Sequence, residues 1–520
     1  LSSSVRPPFS RLIGWLAGAL GFATLATLNS GGYRYGISDQ AFYIPAVLQK
    51  LDPTLFPRDA ALIVSQARFT IFEDIFAALV RATGWPLSIW FVLCYALGLM
   101  LLYAALVQLG RLFYASTWSV AALLFACTLK HRIIRTGVNT LEGYFQPRML
   151  VFAIGLLAVG AVLKKRPALA WTLLLAGVIV HTTTALWFVV WVGVALAVED
   201  KRQRKWVVAL GVAGAIGGLA LLWRGLISLA PMDADWLRAF EGKDYIFPTL
   251  WSVDAWLVNV ILLPGLILGA FFWRRRAGRL LPGETGIVSG CLTLVGLFVL
   301  ALPFIASRSA FVAELQVSRL FWMNDLLATV YVVWFATEAI PRGAAAASWR
   351  RAQVLAIVVG LVAIGRGAYV LTIDHPERSL VEIDLPSDEP WIEASRWIQA
   401  HTKTSAHLLA DPGHAWRFGF SLRVSAERDV LLEDVKDSAI ALYGRPIAMR
   451  VNERREALGD FETLTAERAL ALASRYDLQY LVTDAEMPLP EVYRNARFHV
   501  YRLDATPLAG SPPDRRPLAP

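Results

Sequence analysis

Long apolar runs alternate along the chain with short charged clusters. Apolar residues fill windows near 11–30, 87–108, 117–130, 149–163, 168–181, 183–198, 206–229, 255–273, 286–306, 320–340 and 352–372. About twenty apolar residues cross a bilayer at a rise of about 1.5 Å each, so the pattern predicts about eleven spans. The runs at 117–130, 168–181 and 183–198 fall short of that length. Helices of half length are expected beside a cavity rather than against lipid. After about residue 373 the pattern changes. Trp391–His401 repeats apolar positions at helical spacing, and β-rich runs follow at Ala406–Ala410, Val430–Leu432, Tyr480–Thr483 and Phe498–Leu503, with a further helix at Thr465–Arg475. Strands alternating with helices predict a small α/β domain. The expected architecture is a membrane all-α bundle of about 11 transmembrane helices plus a small C-terminal α/β soluble domain. Residues 1–372 form the polytopic domain with a long first outer loop at 31–86, residues 373–504 form the extracytoplasmic domain, and 505–520, rich in Pro and Gly, form a loose tail.

Charge placement orients the spans. Arg6 and Arg11, Arg111, Lys164–Arg166, Lys201–Lys205, Arg274–Arg276, Arg342 and Arg350–Arg351 fall on one side, which the positive-inside rule makes cytoplasmic. The N-terminus is then cytoplasmic, and an odd number of spans puts the C-terminal domain outside, periplasmic if the membrane is a bacterial inner (plasma) membrane. The first apolar run lacks a small-residue cleavage site and reads as a span rather than a cleavable signal.

Composition agrees with this picture. The chain is 56% hydrophobic and 18% charged, against about a quarter charged in soluble domains. Many of its 19 Trp sit near the ends of apolar runs, where an amphipathic ring prefers the headgroup zone. The net charge of +9 lies in short clusters between spans, a topological pattern that does not read as nucleic-acid binding. Cys94, Cys127 and Cys291 all fall within apolar runs, so neither a disulfide framework nor metal-ligand spacing is indicated. No internal repeat is visible, which weakens an inverted-repeat transporter reading.

Candidate chemistry gathers on the predicted outer side. Asp39 follows the first span closely, where partial burial can tune a carboxylate as a general base; the alternative is an N-cap for a helix starting near Gln40. Asp52 and Asp59 read as turn and capping residues. Lys130–Arg135, continuing to Glu142 and Arg148, is a cationic stretch on the outer side and suits an anion such as a lipid phosphate. Arg132 and Arg135 share a face if this stretch is helical; the alternative is a pair of loop arginines reaching headgroups. His181, followed by three threonines, lies at the tip of a hairpin inside an apolar stretch, where ionisable groups are costly; the alternative is a hydrogen bond to a neighbouring helix. Arg319 stands at the outer boundary of an apolar helix and either points into a cavity or anchors the interface. Asp325, just inside that helix, is the main ionisable residue away from this face.

At these residues the chain resembles the GT-C superfamily of polytopic glycosyltransferases, which use polyprenyl-phosphate sugar donors and include dolichyl-phosphate-mannose-dependent mannosyltransferases, aminoarabinose transferases and oligosaccharyltransferase catalytic subunits. The resemblance rests on an acidic residue soon after span one (Asp39 in Gly36-Ile37-Ser38-Asp39-Gln40), short paired helices in mid-bundle and an outer C-terminal domain. Trp391…Trp397-Ile398…Thr402 and Leu409-Ala410-Asp411-Pro412 add to it. The chain departs in lacking a clear second-loop Asp-x-Asp, so metal-dependent members are poor guides, and in lacking a Trp-Trp-Asp signature in the C-terminal domain, which speaks against an oligosaccharyltransferase. The resemblance implies that Asp39 is the general base in an inverting transfer and that Arg132, Arg135 and Arg319 hold the donor phosphate. It also implies that Glu142, His181, Tyr35 and Arg148 line the sugar or acceptor pocket. The implied partners are a polyprenyl-phosphate-linked sugar, the bilayer and an acceptor that is a glycan, a lipid or a protein. No metal or cofactor is indicated. The competing readings are a GT-C-like scaffold that binds a lipid-linked glycan without catalysis, and a lipid or solute transporter.

Overall fold

Apolar runs flanked by Gly, Pro and charged clusters become helices that end where the apolar character ends. The computed structural model describes residues 8–67, 70–225, 227, 229–240, 243–339 and 345–503; Arg6, Arg342 and the 505–520 tail lie outside the described residues. The chain divides into two compact units. One comprises Leu1–Tyr35 and Gln66–Asp384, the other Gly36–Ser65 and Leu385–Pro520. The sequence reading kept 31–86 with the transmembrane domain, whereas in the structure Gly36–Ser65 forms part of the second unit.

The first unit is helical. Among the described residues, eight helices are long and apolar enough to cross a membrane: Leu12–Asn29, Leu87–Phe113, Thr182–Glu199, Lys201–Trp223, Val253–Arg276, Glu284–Ala306, Ala310–Glu338 and Ala346–Asp374. Three more apolar helices are shorter, Thr117–Thr128, Pro147–Leu163 and Pro167–Val180. At 12 residues, Thr117–Thr128 extends about 18 Å, well under the apolar thickness of about 30 Å. The run at 183–198 is longer than the apolar window suggested: Thr182 and Glu199 extend the helix by one residue at each end, and His181 caps it. Close packing relies on small residues. Trp191 donates its indole N–H to Ile287 O at 2.8 Å, and a Cβ on Gly286 would come within 2.5 Å of Ala195 O. Arg274, counted above among exposed cytoplasmic cations, is buried. Its guanidinium donates to both carboxylate oxygens of Glu284 at 2.6 and 3.0 Å, and Tyr331 also donates to Glu284. The first unit also holds two short sheets. β1 (Tyr33–Arg34) pairs in parallel with β4 (Val381–Glu382), and β2 (Arg132–Ile133) pairs antiparallel with β3 (Val138–Asn139).

The second unit is α/β. Its five-stranded sheet uses β5 (His407–Ala410), β6 (Asp429–Val430), β7 (Tyr480–Thr483), β8 (Glu491–Arg494) and β9 (His499–Arg502) in the order β6-β5-β7-β9-β8. The first three run parallel and the last two antiparallel. Helix Pro390–His401 packs Trp391, Ile392, Ala394 and Ile398 against Leu408, Val430 and Val482. The segment 36–65 joins through Leu55, Phe56, Leu62 and Ile63, which cluster with Ile440.

Candidate functional site

In the first unit, Glu142 touches Arg148, and His181 lies within electrostatic reach of Arg148 and Arg319. Glu142 is buried and accepts from Asn139 Nδ2 at 2.9 Å and from Arg148 Nη2 at 3.4 Å. Arg148 stands in the first turn of helix Pro147–Leu163, where the helix dipole disfavours a cation. Its placement there is offset by the Glu142 carboxylate. His181 joins two helices, and its Nδ1 accepts the Thr184 backbone N–H at 3.3 Å. A ring nitrogen that accepts a backbone N–H carries no proton, so the neutral ring has its proton on Nε2. His181 lies within electrostatic reach of both Arg319 and Arg148. Arg319 sits in the 3-10 turn Val317–Leu320, directly after Gln316 in the left-handed region (φ 47°). The hydrogen bond to a backbone group is therefore present at His181, but it lies within its own helix cap rather than to a neighbouring helix.

Arg132 and Arg135 are not on a helix. They lie on the β2–β3 hairpin, whose turn places Arg135 (φ 57°) and Gly137 (φ 66°) in the left-handed region. The short extended runs on either side of a glycine favour a hairpin over a helical turn. Arg132 is exposed and has no ion-pair partner among the described residues, while Arg135 pairs with Asp244. Asn259 Nδ2 donates to Ile134 O at 2.9 Å, the Tyr245 ring covers Gly137, and Ser318 Oγ donates to Tyr245 O at 3.1 Å. The hairpin is thus linked through Tyr245 to the turn that carries Arg319.

Tyr35 follows β1. Its backbone N–H donates to Glu382 O at 3.1 Å, and its ring meets Phe91 edge-on at 5.8 Å. The adjacent Arg34 N–H donates to Gly143 O at 2.8 Å, tying this strand to the loop that carries Glu142. A Cβ on Gly143 would come within 2.5 Å of Gly32 O, so only glycine permits that approach.

Asp39 belongs to the second unit. It occupies the N-cap position of helix Gln40–Leu51, yet its side chain makes no cap hydrogen bond. Gln40 Oε1 instead accepts the Gly36 N–H at 2.6 Å. The Asp39 carboxylate lies 3.5 Å from Lys436 Nζ, which also sits 5.0 Å from the Phe42 ring centroid.

Sequence reasoning missed a second polar assembly. Asp59, read there as a turn residue, is fully buried. Its Oδ2 accepts from Arg423 Nε at 2.7 Å, and its Oδ1 accepts from Arg450. Burial would raise the Asp59 carboxyl, but Arg423 and Arg450 hold it below its ordinary value. Arg423 also grips both oxygens of Asp437, at 2.6 and 3.1 Å. Glu433 accepts from Ser421 Oγ at 2.7 Å and touches His414 Nε2 at 3.1 Å. Nothing in the residue types around Asp59 signals this, since its main partner lies 364 positions away. His131 Nδ1 meets Asp325 Oδ2 at 3.0 Å, so the isolated intramembrane acid has a partner. Among the described residues, no group of three or more His, Cys, Asp or Glu could hold a metal ion.

No family model matches this chain, and no curated protein matches it. Among solved structures, the chain is similar to the crystal structure of the Archaeoglobus fulgidus oligosaccharyltransferase tethered through a disulfide bond with an acceptor peptide containing the NVT sequon. The identity is 12% and the TM-score 0.40, over 90% of this chain and 69% of that one.

Proposed function

We propose that the chain is an integral membrane glycosyltransferase of the GT-C type that moves a sugar from a polyprenyl-phosphate donor to an acceptor at the outer face of the cell (plasma) membrane. The observation that carries this reading is the gathering of Glu142, Arg148, His181 and Arg319 in a unit otherwise built from apolar helices. Burying ionisable groups beside a bilayer is costly without a polar ligand to meet them. In this reading Asp39 takes the proton from an acceptor hydroxyl. The acceptor oxygen attacks the anomeric carbon, and the bond from that carbon to the phosphate oxygen breaks. The product is an inverted glycoside plus polyprenyl phosphate. Arg132, Arg135 and Arg319 stabilise the charge that grows on the departing phosphate. Glu142, Arg148, His181 and Tyr35 hold sugar or acceptor hydroxyls, with His181 Nε2 as a donor. Asp39 suits a base because its carboxylate is not used as a helix cap.

The test offers purified protein a labelled polyprenyl-phosphate sugar with candidate acceptors. Wild type transfers the label, and Asp39→Asn lowers the rate by about 10²–10⁴, the range of general-base catalysis. Transfer that persists unchanged in Asp39→Asn removes Asp39 as the base. Failure of any lipid-phosphate donor to bind removes the reading as a whole.

A further inference from the structure

A cavity of about 470 Å³ opens in the first unit between the segment 237–250 and the C-terminal end of helix Glu284–Ala306. That size lies within the range of about 300–1,000 Å³ typical of small-molecule sites. Its lining has two characters. Leu237, Phe240, Phe247 and Ile305 are the apolar part of the lining, and Lys243 and Arg308 its cationic part. Asp244 also lines the cavity, but it pairs with Arg135. Arg308 is exposed and has no ion-pair partner among the described residues. Its backbone is held in the left-handed region at φ 63°, and its carbonyl accepts the Met232 N–H at 2.9 Å. That left-handed turn closes the helix, with the Arg308 N–H donating to Ile305 O and the Ser309 N–H to Phe304 O, both at 2.9 Å.

An apolar lining that also carries two cations, at the end of a membrane-length helix, matches a lipid with an anionic head. The charges select among such lipids. A phosphate monoester carries about −1.5 to −2 at pH 7, whereas a phosphodiester carries a single charge. We propose that this cavity binds the lipid phosphate monoester released by the transfer, a polyprenyl phosphate, with its phosphate between Lys243 and Arg308 and its first isoprene units on the apolar lining. The identity of the monoester rests on the glycosyltransferase reading; the cavity and its chemistry do not. Asp244 connects this position to Arg135, so the spent carrier moves from the transfer arginines to a neighbouring site that prefers it to the intact donor diester.

Native mass spectrometry of the full chain in detergent tests this by titration with polyprenyl phosphate, its sugar-linked diester, phosphatidylglycerol and inorganic phosphate. The monoester is expected to bind about tenfold tighter than the diester or phosphatidylglycerol. A variant combining Lys243→Gln with Arg308→Asn is expected to lose about tenfold in monoester affinity, and Asn tolerates the left-handed backbone at 308. Asp39→Asn is expected to bind the monoester as wild type does. Equal affinity for monoester and diester, unchanged affinity in the double variant, or equal binding of inorganic phosphate would each overturn the proposal. Because the readout is binding, an absence of sugar transfer would overturn the functional reading and leave this result standing.

Discussion

In the second unit, Asp59, Arg423, Glu433 and Asp437 are as buried as the leucines around them, and each carboxylate oxygen accepts at least one hydrogen bond. In the first unit, Glu142 takes its hydrogen bonds from Asn139 and Arg148 on the same oxygen, Oε1, Arg132 is exposed without an ion-pair partner among the described residues, and the proton of His181 sits on a nitrogen that no described group accepts from. Both assemblies contain charge away from bulk water, but only that of the second unit is saturated. A saturated buried network holds a fold, because every group already has what it would lose by moving. A loosely satisfied one has capacity for a ligand. The contrast says which charges to expect in stability and which in transfer.

The largest effect should come from breaking the saturated network. Arg423→Met leaves Asp437 buried without its guanidinium partner and strips Asp59 and Glu433 of one cation each, a loss of about 3–5 kcal/mol. Hydrogen exchange of the full chain should show this as lost protection in β5 and β6. The double change Asp59→Asn with Arg423→Met should be milder than the sum of the two single changes. Protection that survives Arg423→Met intact would mean that the network is not what holds this unit.

Acid should act on the same network, in a window set by direction. Burial pushes the Glu433 carboxyl up, but Arg423 and the His414 hydrogen bond outweigh it and hold the group at about 2, against an ordinary 4.5. A depressed carboxyl contributes stability that is present above pH 4.5 and lost as pH falls towards 2. Two neighbours oppose one another above that window. Burial and the Asp59 charge raise Asp429 to about 6, so its contribution is present below 3.8 and lost as pH rises through 6. Burial lowers His407 to about 4, so its contribution is present above 6.5 and lost as pH falls through 4. Exchange protection in β5 and β6 should therefore change little between pH 6.5 and 4.5 and then fall. A loss concentrated near pH 6 would assign the transition to His407 instead.

The smallest effect on stability should come from the loose assembly. Arg319→Ala should destabilise the chain less than Arg423→Met does, because it leaves no buried carboxylate without its guanidinium. It should lower kcat/KM for transfer about a hundredfold, the size of losing one transition-state donor. A destabilisation as large as that of Arg423→Met would erase the distinction between the two assemblies.

The sequence carried the helices further than the contacts. Apolar runs show through because a span must be continuously apolar, and β7 was placed at Tyr480–Thr483 because its β-rich run lies between turn residues. Helix Arg445–Leu458 escaped notice, since its buried residues are few and its surface is strongly charged. Glu142, Arg148, His181 and Arg319 were visible as polar groups at the edges of apolar runs, a signal that does not require knowing their partners. The hairpin at 132–139 was not visible, because arginine in the left-handed region is a property of the folded turn rather than of the residue. Asp59 was hidden for a different reason: short-range rules cannot see a partner 364 residues away.

That separation also sets a clock. Asp59 emerges early in synthesis and Arg423 364 residues later, an interval of about 20–70 s at a rate of about 5–20 residues per second. For that interval Leu55, Phe56, Leu62 and Ile63 lack the cluster they share with Ile440. The second unit is therefore finished only once its last half has been translated, and slowing or pausing translation between the two segments should prolong the exposure of the first.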